Sequence, residues 1–386
     1  MDTKKIIHAA LFTPGPKNTW GLPLLFEGRP GTGKTAIIEQ IAEQAGLHME
    51  VIIGSIREPS DFGGLPILHD GRTKLAAPAW AFRCQEAKRA VIFGDELNTA
   101  MPSVQAAWLR IATDRVVGEL ALPGTVRILG AQNAVGESAG GWDLAPPLAN
   151  RFGHITWDVP EAMEWVQWLL GGSTGENAPK PVDAEKTEAW VTEAFPLAYA
   201  KAKGLVAGFV RAQPMLLHKQ PQPGSPEASK AWPSPRTWEL FTRALAGADV
   251  HHLDDVDTDV FTSAFVGTAA AASFEKYRAE ADLPNPEDVL EGKVKFKHDP
   301  KRLDRTQAVL GACAALITGA KDRAKQAGRA DVLWTLIGEV AKDATDVAIP
   351  AAQAIAKAGF TTSKSASANL AKMAAVLEAA KVQLKA

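Results

Sequence analysis

One short pattern limits this chain more than any other: Gly28-x4-Gly33-Lys34-Thr35, the form of a phosphate-binding loop. An apolar run at 22–26 leads into it as a buried strand would. Behind it, 34–45 carries Ile37, Ile38, Ile41 and Ala45 at helical spacing, and Gly46 is a natural stop. A glycine-rich turn that merely holds Lys and Thr would need neither flank. Strand, loop and helix together let main-chain N–H groups converge on a phosphate at the positive end of a helix dipole. The expected nucleotide-binding set is Gly28, Pro30, Gly31, Thr32, Gly33, Lys34 and Thr35. Lys34 would add its charge to the β- and γ-phosphates, and the Thr35 hydroxyl would ligate Mg²⁺.

At 386 residues, two or three domains are expected. A net charge of −2 gives no overall electrostatic footprint for nucleic acid. The basic run at 293–302 alternates with Val294 and Phe296 and reads as a half-exposed strand or loop with a solvated face. No apolar run spans a bilayer, the first residues lack a secretory signal, and Cys84 and Cys313 have no partner motif. Buried free thiols and a cytoplasmic location are the expectation. The pair His251-His252 lacks zinc-ligand spacing.

Along the chain, 1–20 reads as a lead-in. Strands are expected at 49–53, 90–94, 126–131 and 154–159, a helix from Pro102 with Val104, Trp108 and Ile111 on one face, and a hairpin at 116–123. The stretch 54–88 is rich in Gly, Pro and Asp. Alternating strands and helices imply a parallel sheet covered on both faces. A helix at 163–170 and a polar linker follow, then Ala-rich helices at about 184–212, 236–247, 257–280, 303–326, 331–357 and 366–384. The fold class is therefore α/β, the parallel sheet of a phosphate-loop nucleoside triphosphatase sandwiched by helices and followed by an all-α lid and C-terminal helical region. The expected division is 1–165 for nucleotide binding, 166–182 as linker and 183–386 as helical lid and C-terminal helices. Trp165, Trp168, Trp232 and Trp238 near that division suit core or interface packing better than base stacking.

A second constellation matches the first. The apolar strand at 90–94 ends in Asp95-Glu96. Asp95 can hold Mg²⁺ beside Thr35, and Glu96 can orient or deprotonate the attacking water. Taken alone, the pair would serve equally well to stabilise a helix start. Asn133 ends the next strand, where its amide can reach the γ-phosphate or the water; a turn asparagine is the plainer alternative.

The ordered motifs Gly28-x4-Gly33-Lys34-Thr35, Asp95-Glu96-Leu97-Asn98, Ala131-Gln132-Asn133, Asn150-Arg151-Phe152 and Ser234-Pro235-Arg236 resemble those of the AAA+ ATPases, most closely the MoxR-like and dynein-related branch. The resemblance covers 20 to about 240. It implies a homo-oligomeric ring, usually of six, with ATP at each subunit junction. Asn133 would be the first sensor, Arg151 the finger reaching into the neighbour's site, and Arg236 the second sensor, contributed by the lid. An ordinary surface ion pair for Arg151, or a solvent-facing arginine at 236, are the plainer readings. The resemblance also places 54–88 as a helix-2 insert and 115–124 as a pre-sensor hairpin, both facing substrate. Two departures stand out: Thr99 occupies a place commonly held by arginine, and Ala134 one often held by proline.

The expected activity is ATP hydrolysis that remodels or activates a partner protein, in a chaperone-like manner. The branch implies a von Willebrand factor A domain protein as partner. The competing expectations are a motor subunit acting on nucleic acid or in a defence system, and a nucleotide-gated recruitment module.

Overall fold

The structure, a computed structural model, describes residues 1–134, 142–170, 182–280, 283–319 and 323–360. Its first stretch runs α1 (Thr3–Leu11), β1 (Leu24–Glu27), α2 (Lys34–Gln44), β2 (His48–Ile53), α3 (Ser60–Gly63), β3 (Leu65–His69) and β4 (Arg72–Ala76). Then come α4 (Ala79–Ala87), β5 (Ala90–Asp95), α5 (Pro102–Asp114), β6 (Val116–Val117), β7 (Leu120–Ala121) and β8 (Val126–Gln132). α6 (Pro146–Ala149), β9 (Gly153–Thr156), α7 (Ala162–Leu169) and the long α8 (Ala184–Ala212) follow.

Five strands form one parallel sheet in the order β2-β5-β8-β1-β9. Ala90, Val91, Ile92 and Phe93 of β5 are all fully buried, which requires cover on both faces and explains the unbroken apolar run. Trp108 and Ile111 of α5, with Trp80 of α4 and Phe62, build the core along one side. The α/β sandwich and the hairpin β6–β7 are as expected.

Two readings are corrected. The lead-in contains a helix: Asp2 caps α1 by accepting from the N–H groups of Lys4 and Lys5, and Ile6, Ile7, Ala10 and Leu11 are buried. The stretch 54–88 holds an antiparallel hairpin, β3–β4, turned at Asp70-Gly71 where both φ angles are positive. Its side chains are largely exposed, Leu68 at 81%.

Arg127, wholly buried on β8, is held by Glu188 of α8, by the Leu11 carbonyl at 3.1 Å and by the Thr125 carbonyl. Burial lowers its pKa and Glu188 counters that shift. A guanidinium in such a place is tolerable only because its donors are matched.

The remaining helices are α9 (Pro235–Val250), α10 (Asp255–Val266), α11 (Thr268–Glu280), α12 (Pro286–Leu290), α13 (Leu303–Gly319), α14 (Arg323–Val340) and α15 (Thr345–Lys357). The helix expected over 257–280 is two, because α10 closes at Gly267, whose N–H bonds the Ser263 carbonyl at 2.8 Å. The two expected over 303–326 and 331–357 are three. One break falls at 341–344, where the N–H groups of Asp343 and Ala344 both turn back to the Val340 carbonyl. The helix expected at 366–384 lies outside the described residues.

Two compact units result: Met1–Glu193 with His218–Ala271, and Ala194–Leu217 with Ala272–Ala386. In the first, α9 and α10 join the sheet, with Phe265 against Gly153 of β9. The second has its own core, centred on Leu310, Cys313, Leu333, Trp334, Ile337 and Ile355. Trp232 and Trp238 are buried, whereas Trp165 and Trp168 of α7 stand about half exposed, at 49% and 50%. Cys84 and Cys313 are free and buried, and burial pushes both thiols up to about 12. Among the described residues no helix is long and apolar enough to cross a membrane.

Candidate active site

β1, β8 and β5 are neighbours and point the same way, so their C-terminal ends share one edge of the sheet. That edge gathers the loop after β1, Asn133 after β8 and Asp95-Glu96 at the end of β5. β8 lies between the other two.

The loop is shaped by its glycines in two ways. Gly31 and Gly33 have φ of +75° and +81°, and a Cβ at either would meet nothing within 4 Å. There the backbone angle, not crowding, demands glycine. Gly28 is the reverse case, since a Cβ would lie 2.3 Å from the Trp157 carbonyl oxygen. The loop is thus pressed against the chain leaving β9, and the Trp157 indole N–H reaches the Thr32 carbonyl at 3.4 Å.

Lys34 is buried, and its ammonium donates to the carbonyls of Gly28 and Arg29, each at 2.8 Å. These bonds hold the loop curled around the lysine. Gly33 is the N-cap of α2 and supplies no capping side chain, which leaves first-turn amides available to an anion.

The Thr35 hydroxyl donates to Asp95 Oδ2 at 2.7 Å. A hydroxyl and a carboxylate oxygen side by side are the hard donors that suit Mg²⁺. The Glu96 N–H donates to Asp95 Oδ1 at 2.9 Å, and Glu96 itself is left-handed, with φ 54° and ψ 42°. A non-glycine residue in that region is uncommon and tends to mark a site. Ser55, just beyond β2, donates its hydroxyl to Glu96 Oε2 at 2.7 Å. Thr99 bonds the Glu96 carbonyl through its hydroxyl at 2.8 Å and so closes the turn after the acid pair.

The two arginines are elsewhere. Arg151 lies two residues before β9, whose Gly153 is level with Leu24 at the start of β1. It therefore sits at the N-terminal edge of the sheet, opposite the phosphate loop. It is half-buried and donates to Thr113 Oγ1 and to the Pro147 carbonyl. Burial and the charge of Arg236 lower its pKa, while Asp114 acts the other way. Arg236 is exposed in the first turn of α9. A buried bond from Ser234 Oγ to Asn150 Oδ1, 2.9 Å, ties the start of that helix to the residue next to Arg151. Asn150 completes the link by donating to the Trp232 carbonyl at 3.3 Å.

The structure thus brings together Gly28, Pro30, Gly31, Thr32, Gly33, Lys34, Thr35, Asp95, Glu96 and Asn133, and it brings Arg151 to Arg236 at the far edge. Ser55 is a contributor that no local pattern announces, and Asn98 and Asn150 stand in the ordered motifs without a role of their own there; the bonds of all three span 35 to 84 residues.

Residues 23–153 match the ATPase family associated with various cellular activities (AAA). This segment is an AAA-family ATPase domain. The chain is also 29% identical to midasin from Giardia intestinalis over 156 residues, 38% of this chain and 3% of midasin. It therefore spans a small fraction of that relative. A solved protein from Cytophaga hutchinsonii, described as a proposed ATPase, aligns over 76% of this chain and 88% of its own at 18% identity with a TM-score of 0.45. A likeness that distant carries no argument. The family match ends where β9 begins, so it covers Arg151 but not Arg236.

Proposed function

We propose that this protein hydrolyses ATP at junctions between copies of itself and uses the cycle to remodel or activate a partner protein. One observation carries the reading: the phosphate loop, Thr35, Asp95 and Glu96 meet at one edge of the sheet, while Arg151 and Arg236 sit at the opposite edge. A site at one end of a molecule and its missing cation at the other make a head-to-tail contact, and such contacts close into a ring when the rotation from copy to copy closes. Six copies, MoxR-like membership and a partner bearing a von Willebrand factor A domain rest on the resemblance of the motifs alone.

In this reading the amides of the loop and Lys34 bind the phosphates. Thr35 and Asp95 would hold Mg²⁺, which supplies charge neutralisation to the phosphate oxygens when bound. Glu96 orients the attacking water and accepts its proton. Asn133 donates toward the γ-phosphate or the water. Arg151 and Arg236 of a neighbouring copy stabilise the charge that builds on the transferred group.

The decisive variant is Glu96→Gln. It should bind ATP and assemble as the wild type does, while turnover falls by about 10²- to 10⁴-fold, the usual contribution of a general base. Wild-type turnover in that variant would remove Glu96 from the mechanism, and a wild-type protein that binds ATP without hydrolysing it would remove the hydrolytic reading.

A further inference from the structure

Asn133 lies just beyond the sheet. The β8 pairing with β5 ends at Gly130 and that with β1 at Gln132, so no strand ladder fixes the main chain of residue 133. Among the described residues the Asn98 side chain does so instead. Asn98, in the short turn Leu97–Thr99 after the acid pair, is only 7% exposed. Its Nδ2 donates to the Asn133 carbonyl at 3.0 Å, and its Oδ1 accepts the Asn133 N–H at 3.3 Å. A carboxamide offers a donor and an acceptor on separate atoms side by side, so it can hold both main-chain groups of one residue, as an acceptor-only carboxylate cannot. With its N–H and C=O both pinned, Asn133 has the direction of its Cα–Cβ bond set relative to Asn98. Asn98 is two residues from Glu96. Its own carbonyl also accepts the Trp142 N–H at 2.8 Å, which ties the returning chain to the same turn.

We propose that Asn98 is a positioning residue for ATP hydrolysis, one that sets Asn133 in register with Glu96. The inference rests on the ATPase reading above and adds to it a residue that acts through Asn133. Its effect belongs to the chemical step, because the groups it holds are the main-chain N–H and carbonyl of Asn133, beside the acid pair.

The test is steady-state turnover with fluorescent-ATP binding for Asn98→Ala, Asn98→Asp, Asn133→Ala and the Asn98→Ala/Asn133→Ala double variant, with Glu96→Gln alongside. Asn98→Ala should lower kcat by about tenfold or more, the rate equivalent of one misdirected hydrogen bond, with KM and ATP affinity nearly unchanged. Asn98→Asp keeps the acceptor for the N–H but sets an oxygen against the Asn133 carbonyl, so it should fall similarly. The double variant should turn over no more slowly than Asn133→Ala, since both changes remove one contribution. Wild-type kcat in Asn98→Ala or in Asn133→Ala, losses that multiply in the double variant, or loss of ATP binding in both Asn98 variants would overturn the proposal. Absence of ATP turnover in the wild-type protein with Mg²⁺ would overturn the ATPase reading instead. Undiminished turnover in Glu96→Gln would remove Glu96 as the group that Asn133 is set against, so the failures are distinguishable.

Discussion

Replacing Arg151 by alanine tests where the catalytic charge comes from. Gly153 pairs with Leu24, and the loop begins four residues further along at Gly28. Four strand residues at ~3.3 Å each put the two edges about 13 Å apart even before the two residues from 153 back to 151 are counted. Across ~13 Å, at the effective dielectric typical of protein sites, two unit charges interact by only about 1.3 kcal/mol, about tenfold in rate. Acting on its own chain's nucleotide, Arg151 could therefore contribute little. An arginine delivered from a neighbour is worth roughly 10³- to 10⁵-fold in phosphoryl transfer. The reading thus predicts that Arg151→Ala loses about 10³-fold or more in kcat while retaining ATP binding. Mixing it one-to-one with Lys34→Ala, also inactive, should restore activity, because about a quarter of random head-to-tail junctions pair an intact lysine loop with an intact arginine. The assay is phosphate release against mixing ratio, with assembly followed by light scattering. A loss no greater than tenfold in Arg151→Ala, or no recovery on mixing despite mixed assemblies, would refute the argument.

Two further outcomes follow from named contacts. Ser55→Ala removes the hydroxyl that holds Glu96 Oε2, and freeing the carboxylate should raise basal turnover by up to about tenfold with KM unchanged, since a hydrogen bond to a charged group is worth about 1.5 kcal/mol or more; a fall in kcat would show that Ser55 aims Glu96 rather than restrains it. His251, packed between His8 and Trp190, is lowered by burial and by the neighbouring His8 from 6.5 to about 4, so the folded state keeps it neutral where the unfolded chain takes a proton. Its contribution to stability is whole above pH 6.5 and is lost as the pH falls toward 4, by about 3 kcal/mol, and urea titrations of wild type and His251→Phe should diverge across that window and not above it.

What could be read in the sequence divides along a physical line. β5 and β8 were legible because burial on both faces forces a continuous apolar run, and the loop was legible because its curl needs glycine at 31 and 33. The hairpin β3–β4 carried a usable signal, Asp70-Gly71 between two short runs, but its exposed leucines and isoleucine lack the polar alternation of a half-buried strand and hide it. α1 was readable as well, from Asp2 ahead of Ile6, Ile7, Ala10 and Leu11. The helix breaks in the second unit were not. At 341–344 the sequence is Ala-Lys-Asp-Ala, with no glycine or proline to punctuate it, and local propensity is nearly level across the break. The deeper loss is at the site. Glu96 and Asn133 can be placed by motif, but Ser55 and Asn98 acquire their roles only once β2, β5 and β8 lie side by side. The order of strands creates those hydrogen bonds, and the sequence near each residue is the same whether or not they form. Arg236 shows the same dependence more sharply: its motif marks a helix start at a junction, yet the Ser234–Asn150 bond decides which edge of the sheet that helix serves. A residue's chemistry can be read from its type and neighbours in sequence, but the site on which it acts is a property of the sheet.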